Sequence, residues 1–506
     1  MLLVPKLSDF SFQKLKKLTY RATNLGYNRF GKKKNYHPVS EEIMKQISFK
    51  SKGKISKVEV TEDTLTGRGG LALYVRYLSK IDIYPLLLSS FPWLRKSSKG
   101  QPIWNIFKQV FCFFYDGTSR HLIYFDQLKR DEGYAAVIEN TSEEMVCSHQ
   151  VKRFFKAFSW ICGGVFRRIL KRLFIWRLRI ERPEKIELTI DLMIMDNDEA
   201  EQRHGVEPTY KKVKGFGSLQ IIWNRKIVDA IFRGGSKHSN AGRTVVNMVT
   251  DLVNLIRKEY REDVPIIIRM DSAFLDEDNL VVFDRLHIGF ICTGKIYEHV
   301  KEYVQALPEE GWGGYDNGHQ EWEYIEFGYR YDSWKKYYRA IYTRPFYEGE
   351  QRLLDFARPD NIIVTNIGVN SEVLKGCGPK MQEEVTDVES IISSHHLRGA
   401  DELPHRGFKD FGFEELPFKR FSPNTAFFYC MVISFFLFET FKEDVLEEVL
   451  PVVSYATTVR RKIVDLAAKI VKTGGEIILR VPRAVMENLR FDKLWKRCQN
   501  PIPICG

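Results

Sequence analysis

Cysteine pairing is the first thing that the sequence lacks. Eight cysteines are scattered singly along 506 residues, at positions 112, 147, 162, 292, 377, 430, 498 and 505. No Cys-x-x-Cys pair occurs, which argues against a zinc site, and the irregular spacing argues against a disulfide framework. We therefore expect free thiols in a reducing compartment.

Long apolar runs are also missing. The N-terminal stretch MLLVPKLSDFSFQKLKK has no uninterrupted apolar segment of the kind found in signal peptides. The most apolar stretch, AFFYCMVISFFLF at 426–438, has 13 residues, whereas a membrane-spanning helix needs about 20. This stretch predicts a buried core helix. Because neither a signal peptide nor a spanning helix is predicted, we expect a soluble, cytoplasmic protein with no membrane contact. Internal repeats and low-complexity tracts are absent from the sequence as well.

Positive charge is present in excess. Lys and Arg number 77 against 65 Asp and Glu, a net charge of +12, within an ordinary globular composition of 44% hydrophobic and 28% charged residues. A surplus of this size favours a polyanionic partner such as a nucleic acid. The first 65 residues are basic and contain interleaved tyrosines. A solvated arm and a DNA-contacting arm both account for that pattern.

Hydrophobic periodicity divides the chain. From residue 69 to about 159 apolar residues recur at spacings of three and four, which predicts several short helices, and a basic amphipathic run follows at 166–182. From residue 185 the period becomes two. In KIELTIDLMIM the aliphatic residues share one face and Asp191 lies on the other. The stretch 218–235 predicts two strands joined by a tight turn at Asn224-Arg225.

The elements that follow predict a mixed α/β sheet. An amphipathic helix leads to the stretch VPIIIRMDSAF, an almost wholly apolar strand that ends at Asp271. A helix at 276–287 and a strand at 289–296 continue the pattern. The aromatic, alternating stretch that follows predicts a β-rich insertion, and NIIVTNIG at 361–368 adds a strand. Helices are predicted from there to the basic C-terminal tail.

Asp191, Asp271 and Glu402 are the candidate functional carboxylates. Asp271 ends a strand that follows a crossover helix, the position where α/β sheets place ligand-binding groups. Singly, each carboxylate has an ordinary explanation as an edge-strand surface charge, a helix N-cap or half of an exposed ion pair. Together they offer the oxygen ligands that two divalent ions need to clamp an in-line phosphoryl displacement.

The third carboxylate lies in HHLRGADELPHRGFK, residues 395–409. Steps of three, four and seven separate His395, Arg398, Glu402 and Lys409, which predicts that the four side chains share one side of a helix. The cationic members would then meet DNA phosphates next to the metal ions.

These motifs resemble a known family, the DDE transposases of bacterial insertion sequences, in the cut-and-paste branch with an RNase H-like core. That family carries Asp on its first strand, Asp after its fourth strand and a helix with the signature Tyr-x2-Arg-x3-Glu-x6-Lys. TIDLMIMD supplies Asp191, IRMDSAF supplies Asp271, and the spacing of His395, Arg398, Glu402 and Lys409 fits the helix. GFGSLQ, NIIVTNIG and FSPNTAFFY are also similar, so the likeness spans roughly 65–445.

The resemblance implies a domain organisation. It predicts an RNase H-like mixed-sheet catalytic core interrupted by a β-rich insertion, with a helical N-terminal DNA-binding region and a helical C-terminal tail. The expected boundaries are 1–182 for the DNA-end-binding region, 183–296 and 376–445 for the two parts of the core, 297–375 for the insertion and 446–506 for the tail.

The resemblance also implies an activity. We expect a transposase that binds the terminal inverted repeats of its element, cleaves the DNA and transfers the freed strands to target DNA. Asp191, Asp271 and Glu402 would bind two Mg²⁺ ions, with Mn²⁺ as a substitute, and His395, Arg398 and Lys409 would bind DNA phosphates. The expected partners are double-stranded DNA and a second copy of the chain in a synaptic dimer, in the bacterial cytoplasm at the nucleoid.

Two residues depart from the family pattern. His395 takes the place of the signature tyrosine, so the phenolic hydroxyl is absent. Pro404 follows Glu402 by two residues and is expected to kink the helix, because proline cannot donate a hydrogen bond to Ala400. Such a kink would change the angle between Arg398 and Lys409.

Two alternatives fit the same sequence. One is a metal-dependent nuclease of the same fold that cleaves without joining strands. The other is a non-catalytic DNA-binding protein, a domesticated copy that uses only its basic N-terminal half. The presence of all three carboxylates favours a catalytic protein over the second alternative.

Overall fold

The computed structural model describes residues 55, 57–94, 100–199, 202–346, 360–397 and 402–504, with the backbone alone at residue 402. The chain divides into two compact units, Met1–Glu62 and Asp63–Gly506. The predicted basic arm at 1–65 lies almost entirely outside the described residues. The fold given below is that of the second unit.

Thirteen β-strands in two sheets occur in the described parts of the chain. They are β1 (Leu65–Thr66), β2 (Ile186–Asp196), β3 (Glu207–Pro208), β4 (Lys214–Trp223), β5 (Lys226–Gly234), β6 (Ile266–Met270), β7 (Gly289–Thr293), β8 (Gly313–Asp316), β9 (Glu321–Tyr329), β10 (Tyr338–Pro345), β11 (Asn361–Thr365), β12 (Ala468–Thr473) and β13 (Glu476–Arg480). Ten form a central sheet in the order β3-β4-β2-β6-β7-β11-β10-β9-β8, with β5 paired to β4. The pairs β2–β6 and β6–β7 are parallel and the others antiparallel. The predicted mixed α/β class is confirmed.

The α-helices lie before, between and after these strands. They are α1 (Leu71–Lys80), α2 (Ile83–Ser90), α3 (Ile103–Asp116), α4 (Phe125–Leu128), α5 (Glu132–Val137), α6 (Ser148–Lys156), α7 (Cys162–Glu181), α8 (Thr244–Glu259), α9 (Glu277–Arg285), α10 (Glu298–Gln305), α11 (Pro379–Thr386), α12 (Val388–Leu397), α13 (Glu402–Phe411), α14 (Phe421–Phe441), α15 (Ala456–Val459), α16 (Arg483–Asn488) and α17 (Phe491–Gln499). The helical character predicted for residues 69–182 is therefore confirmed.

The β4–β5 hairpin turns at Asn224-Arg225, as the sequence predicts. Both residues have positive φ, 43° and 64°, which is the backbone that a two-residue type I′ turn requires. Asn adopts this conformation more readily than most residues, because its short polar side chain bonds locally. The turn sets the register of β4 against β5 at the end of the hairpin. On its other side β4 pairs with β2, where Gln220 lies opposite Asp191.

The parallel strands β2, β6 and β7 are connected by α8 and α9. Their last parallel pairs are Ile190 with Met270 and Met270 with Cys292. Asp191, Asp271 and Thr293 therefore occupy the next position on three neighbouring strands, at one edge of the parallel segment.

The predicted insertion at 297–375 extends the central sheet rather than forming a sheet of its own. Helix α10 comes first, and β8, β9 and β10 then join the sheet through β11, which pairs with both β7 and β10. Asp284 of α9 holds this extension, since it accepts hydrogen bonds from Asn366, Asn370 and Tyr338. Burial raises the pKa of Asp284, but these hydrogen bonds together with that from Lys336 outweigh burial and lower it.

Helix α14 is the centre of an aromatic core that the N-terminal helices surround. Phe427 of α14 contacts Phe114 of α3 and Phe155 of α6, with ring centroids 5.1 and 5.3 Å apart. Tyr74 of α1 contacts Phe441 at the other end of α14, at 5.5 Å. The regions predicted as separate, 1–182 and 376–445, thus share one hydrophobic core from α1 onward.

The segment Phe421–Leu446, which contains α14, is long and apolar enough to cross a membrane by composition. However, 89% of its most apolar window is buried inside the protein. Burial of this extent is what a core helix shows, and the prediction of a buried core helix at 426–438 is confirmed.

The C-terminal tail is not wholly helical, which corrects the prediction for 446–506. Strands β12 and β13 form a hairpin there, and Lys469 of β12 pairs with Leu65 of β1. This three-stranded sheet joins the beginning of the unit to its end. The pairing partner of β12 lies some 400 positions away in the chain (469 − 65 = 404), so local periodicity does not reveal it.

The described cysteines are Cys112, Cys147, Cys162, Cys292, Cys377, Cys430 and Cys498, and all are free thiols. This agrees with the expectation from their spacing. Burial raises the pKa of the Cys112 thiol to about 12, so this thiol stays protonated and packs as an apolar group.

Candidate active site

Asp191 and Asp271 lie side by side at the edge of the parallel strands. Each follows the last parallel pair, Ile190 with Met270, on its own strand. Neighbouring strands are about 4.8 Å apart, so the two carboxylates lie within reach of a common ligand. β2 continues to Asp196 whereas β6 ends at Met270. Among the described residues, no strand pairs with this side of β2 beyond Ile190, and the edge opens into a cavity.

Backbone N–H groups orient both carboxylates. Oδ1 of Asp191 accepts a hydrogen bond from the N–H of Leu192 at 2.7 Å. Oδ1 of Asp271 accepts from the N–H of Ala273 at 2.9 Å, so Asp271 also caps the short 3₁₀ helix Ser272–Phe274. Oδ2 of Asp191 lies 3.4 Å from Nδ1 of His405 on α13.

The cavity at this edge has a volume of about 340 Å³ and carries both signs of charge. Its acidic residues are Asp191 and Asp271, and its basic residues are Lys211, His405, Arg406 and Lys409. Lys211 comes from the segment between β3 and β4, and the other three come from α13. A group with several negative oxygens fits between the cations, while the two carboxylates face it from the sheet.

Helix α13 presents these cations because its opposite face is buried. Phe408 contacts Phe435 of α14 at 5.4 Å, and Phe411 contacts Phe438 at 5.0 Å. Burial of the two rings turns the side of the helix with His405 and Lys409, four residues apart, toward the sheet. Nζ of Lys409 also forms an ion pair with Glu414 at 2.8 Å.

Within the stretch 395–409 the structure describes α12 up to Leu397 and α13 from Glu402. The four residues between them lie outside the described part of the chain. The prediction of one continuous helix with a kink at Pro404 therefore stays a prediction.

His395 lies on α12, apart from the cavity wall. Its side chain is buried, and Nε2 is 2.9 Å from Oγ1 of Thr293, the last residue of β7. This contact joins α12 to β7, which is the neighbour of β6, the strand that Asp271 follows. Arg398 and the side chain of Glu402 lie outside the described residues. The structure therefore brings together Asp191, Asp271 and Lys409 of the predicted site residues.

Sequence reasoning missed His405, Arg406 and Lys211. The signal for His405 was present, because it lies three residues after Glu402 and four before Lys409 in the quoted stretch. The family spacing assigns no role to that position. Lys211 lies in a segment without periodicity, and only the packing of that segment against β2 reveals it.

The carboxylates of Asp191 and Asp271 are the type of ligand that a divalent metal ion binds. Two neighbouring carboxylates supply hard oxygen ligands, which Mg²⁺ prefers. Among the described side chains, no group of three or more His, Cys, Asp and Glu residues is placed to hold a metal ion. Glu402 begins α13 three residues before His405, a spacing that puts two residues on the same side of a helix.

Comparison with known proteins gives the class of the chain. The family model described as Transposase DDE domain group 1 matches residues 50–501. The chain belongs to this family of DDE transposases. No curated protein matches it.

Among solved structures, the chain is similar to a piggyBac transposase in a cryo-EM structure of a synaptic complex with hairpin DNA. The match has 11% sequence identity and a TM-score of 0.34, and it covers 87% of this chain and 85% of that chain. A TM-score this low does not allow residues to be matched between the two structures.

Proposed function

We propose that this chain is a cut-and-paste transposase of a bacterial insertion sequence. It binds the terminal inverted repeats, hydrolyses a phosphodiester at each end and joins the freed 3′-hydroxyls to target DNA. The observation that carries the proposal is the pair Asp191 and Asp271 at the open edge of β2, faced by the cations of α13. The family of the chain supports the same reaction class.

Asp191, Asp271 and Glu402 are the proposed ligands of two Mg²⁺ ions, which Mn²⁺ can replace. When bound, such ions polarise the phosphoryl group and lower the pKa of an attacking water or hydroxyl. The protein fixes the ligands beforehand, since backbone N–H groups already orient Asp191 and Asp271.

Lys409, Arg406 and Lys211 are proposed to hold the phosphates on either side of the scissile bond. Their charges face the carboxylate pair across the cavity, so they offset the negative charge that the phosphate gains during displacement. The phosphate-binding role predicted for Arg398 stays a prediction. For His395 we propose instead a positioning role, because its ring bonds Thr293 beside Asp271.

Double-stranded DNA and a second copy of the chain are the proposed partners. Cut-and-paste transposition needs both ends of the element in one complex, and a homodimer supplies one active site for each end. The proposed location is the bacterial cytoplasm, on nucleoid DNA.

A strand-transfer assay tests the proposal, with a labelled duplex from the ends of the element, a target plasmid and Mg²⁺. Joined products support transposition, cut products alone support the nuclease alternative, and a shifted band alone supports a non-catalytic DNA-binding protein.

Asp191→Asn and Asp271→Asn should each abolish cleavage while end binding stays within a few-fold, because binding is spread over many basic side chains. The matched control is Asp251→Asn, whose side chain is 59% exposed on α8, and it should cleave like the wild type. An Asp191→Asn protein that still nicks its ends in Mg²⁺ contradicts the proposed site.

A further inference from the structure

A second and larger depression lies near the active site. It has a volume of about 980 Å³ and is formed by α6, the segment 120–123 and the segment 415–423 that joins α13 to α14. We call it the basic groove. Its Lys and Arg side chains are Arg120, Lys152, Lys156, Arg203, Lys419 and Arg420, and the carboxylate among its lining residues is Glu415.

Positive charge is concentrated in the basic groove, and only part of it is neutralised there, by the ion pair of Arg120 with Glu415 at 3.5 Å. Lys152 and Lys156 are both exposed and lie four residues apart on α6, a spacing at which two cations repel each other. Lys419 and Arg420 are exposed on the opposite segment. Within the described parts of the chain, none of these four side chains forms an ion pair. A polyanion in the groove would remove the repulsion.

The wall that carries Lys419 and Arg420 is held in place by hydrogen bonds. The backbone carbonyl of Lys419 accepts from the N–H of His204 at 2.9 Å. Asn424 binds both the N–H and the carbonyl of Phe418, at 2.9 and 2.7 Å. Arg203 donates to Oδ1 of Asn197 at 3.1 Å and to the carbonyl of Leu416. The backbone of this wall is therefore in place before any ligand binds, so binding does not require it to be ordered.

The basic groove and the active-site cavity are separated by an acidic depression. That depression has a volume of about 540 Å³ and shares Lys409 with the cavity and Arg120 and Glu415 with the groove. Asp196, Asp198 and Glu199 line it. Their carboxylates repel a phosphate backbone, so backbone contacts are confined to the two basic surfaces on either side.

We propose that the basic groove binds the phosphate backbone of the duplex DNA whose scissile phosphate lies in the active-site cavity. The inference rests on the proposed function in taking DNA as the substrate. Ammonium and guanidinium groups from four separate chain segments suit the repeated charges of a duplex backbone. An acidic protein segment is the competing occupant.

The test is the salt dependence of DNA binding, measured with the full chain, a labelled duplex of arbitrary sequence and no divalent metal. Phosphate contacts carry no sequence information, so the arbitrary duplex is an adequate probe. Each lost lysine–phosphate contact lowers the slope of log K against log salt by about 0.9. The double variant Lys152→Gln/Lys156→Gln should therefore lower the slope by about twice that amount, since it removes two contacts. The double variant Lys419→Gln/Arg420→Gln should lower it equally.

The matched control is Lys258→Gln combined with Lys493→Gln, which removes the same charge from exposed positions outside the groove. This control should keep the wild-type slope. Groove variants with the wild-type slope would overturn the inference and leave the groove to an acidic protein segment. The measurement needs no cleavage, so a wild type that fails to cut DNA in Mg²⁺ would refute the proposed function while the slope still decides the role of the groove.

Discussion

At the scale of single residues, His405 is the side chain of α13 that contacts Asp191. Its Nδ1 lies 3.4 Å from Oδ2, while the N–H of Leu192 holds Oδ1. The two contacts together limit rotation of the carboxylate and aim its remaining lone pairs at the cavity. His405 thereby positions a proposed metal ligand from a helix that lies far away in the chain.

His405→Ala should reduce the rate of end cleavage by about 10-fold, because Oδ2 of Asp191 loses the imidazole that lies 3.4 Å away and a loss of about 1.4 kcal/mol corresponds to a tenfold change in rate. His405→Asn should recover most of that rate, because the amide nitrogen of Asn lies close to the position of Nδ1. Single-turnover cleavage at saturating Mg²⁺ measures both. The control is His319→Ala, an exposed histidine in the turn between β8 and β9. If His405→Asn cleaved as slowly as His405→Ala, a nitrogen donor at position 405 would not account for the effect, and the positioning role of His405 would be contradicted.

The sequence allowed Asp191 and Asp271 to be placed correctly for a physical reason. The alternation of aliphatic and other residues in β2 shows which side chains, Asp191 among them, lie on the face opposite the aliphatic one. The end of the apolar run shows where β6 ends. The pairing of Ile190 with Met270 then makes the two aspartates neighbours. His405 could not be found in this way, because its contact with Asp191 depends on how α13 packs against α14 and the sheet.

At the scale of secondary-structure elements, Arg460 joins the ends of two helices. Its guanidinium donates to the carbonyls of Phe114 and Tyr115 at the end of α3, at 2.8 and 2.9 Å. It also donates to the carbonyls of Asp410 and Phe411 at the end of α13, at 3.0 and 2.6 Å. These carbonyls have no partner within their own helices, and one cation satisfies both sets and complements both dipoles.

Gly117 is required by the same arrangement. It has a φ of 62° directly after α3, a left-handed conformation that glycine adopts without strain. A Cβ at this position would overlap the guanidinium of Arg460. The end of α3 and the active-site helix α13 are thus held together through a space that only a glycine leaves open.

Arg460→Met should lower the free energy of unfolding by about 3 kcal/mol, because several partly buried carbonyls lose their donor. Urea unfolding followed by circular dichroism measures the change. The neighbouring Arg461→Met is the control, since Arg461 is exposed, and it should unfold like the wild type. Equal stability of the two variants would contradict the proposed capping of α3 and α13 by Arg460.

The sequence predicted helices and strands correctly where turn residues and periodicity within a short window specify them. It did not predict strand pairing between segments that lie far apart in the chain. The β4–β5 turn, α8, β6 and α9 follow from turn residues and periodicity within short windows. The hairpin of β12 and β13 and the extension of the sheet by β8, β9 and β10 depend on partners elsewhere in the chain. Their alternation was visible at 321–347, but the strand that each would pair with was not.

At the scale of the whole molecule, the N-terminal helices and α14 form a single hydrophobic core. Phe166 of α7 stacks on Tyr429 with centroids 5.4 Å apart, and Phe114 and Phe155 contact Phe427. The helices before β2 therefore cannot bury their aromatic faces without α14. This shared core favours folding of these helices together with α14 over the predicted division in which residues 1–182 form a DNA-binding module of their own.

A fragment of residues 1–182 should show no cooperative thermal unfolding, whereas a fragment of residues 63–506 should unfold in a single transition. The physical reason is that the first fragment lacks α14 and with it most of the contacts of its aromatic side chains. Differential scanning calorimetry of the two fragments provides the measurement. A cooperative transition in the 1–182 fragment would show that its helices have a core of their own.

The position of α14 in the chain has a consequence for synthesis. About 240 residues separate the end of α7 at Glu181 from the start of α14 at Phe421 (421 − 181 = 240). At roughly 5–20 residues per second, a ribosome takes about 12–48 s to cover that distance. During this interval the nascent chain carries an uncovered aromatic surface, which is a binding site for chaperones. A chain truncated before Glu402 also lacks α13 and α14, so it neither completes the core nor assembles the proposed active site.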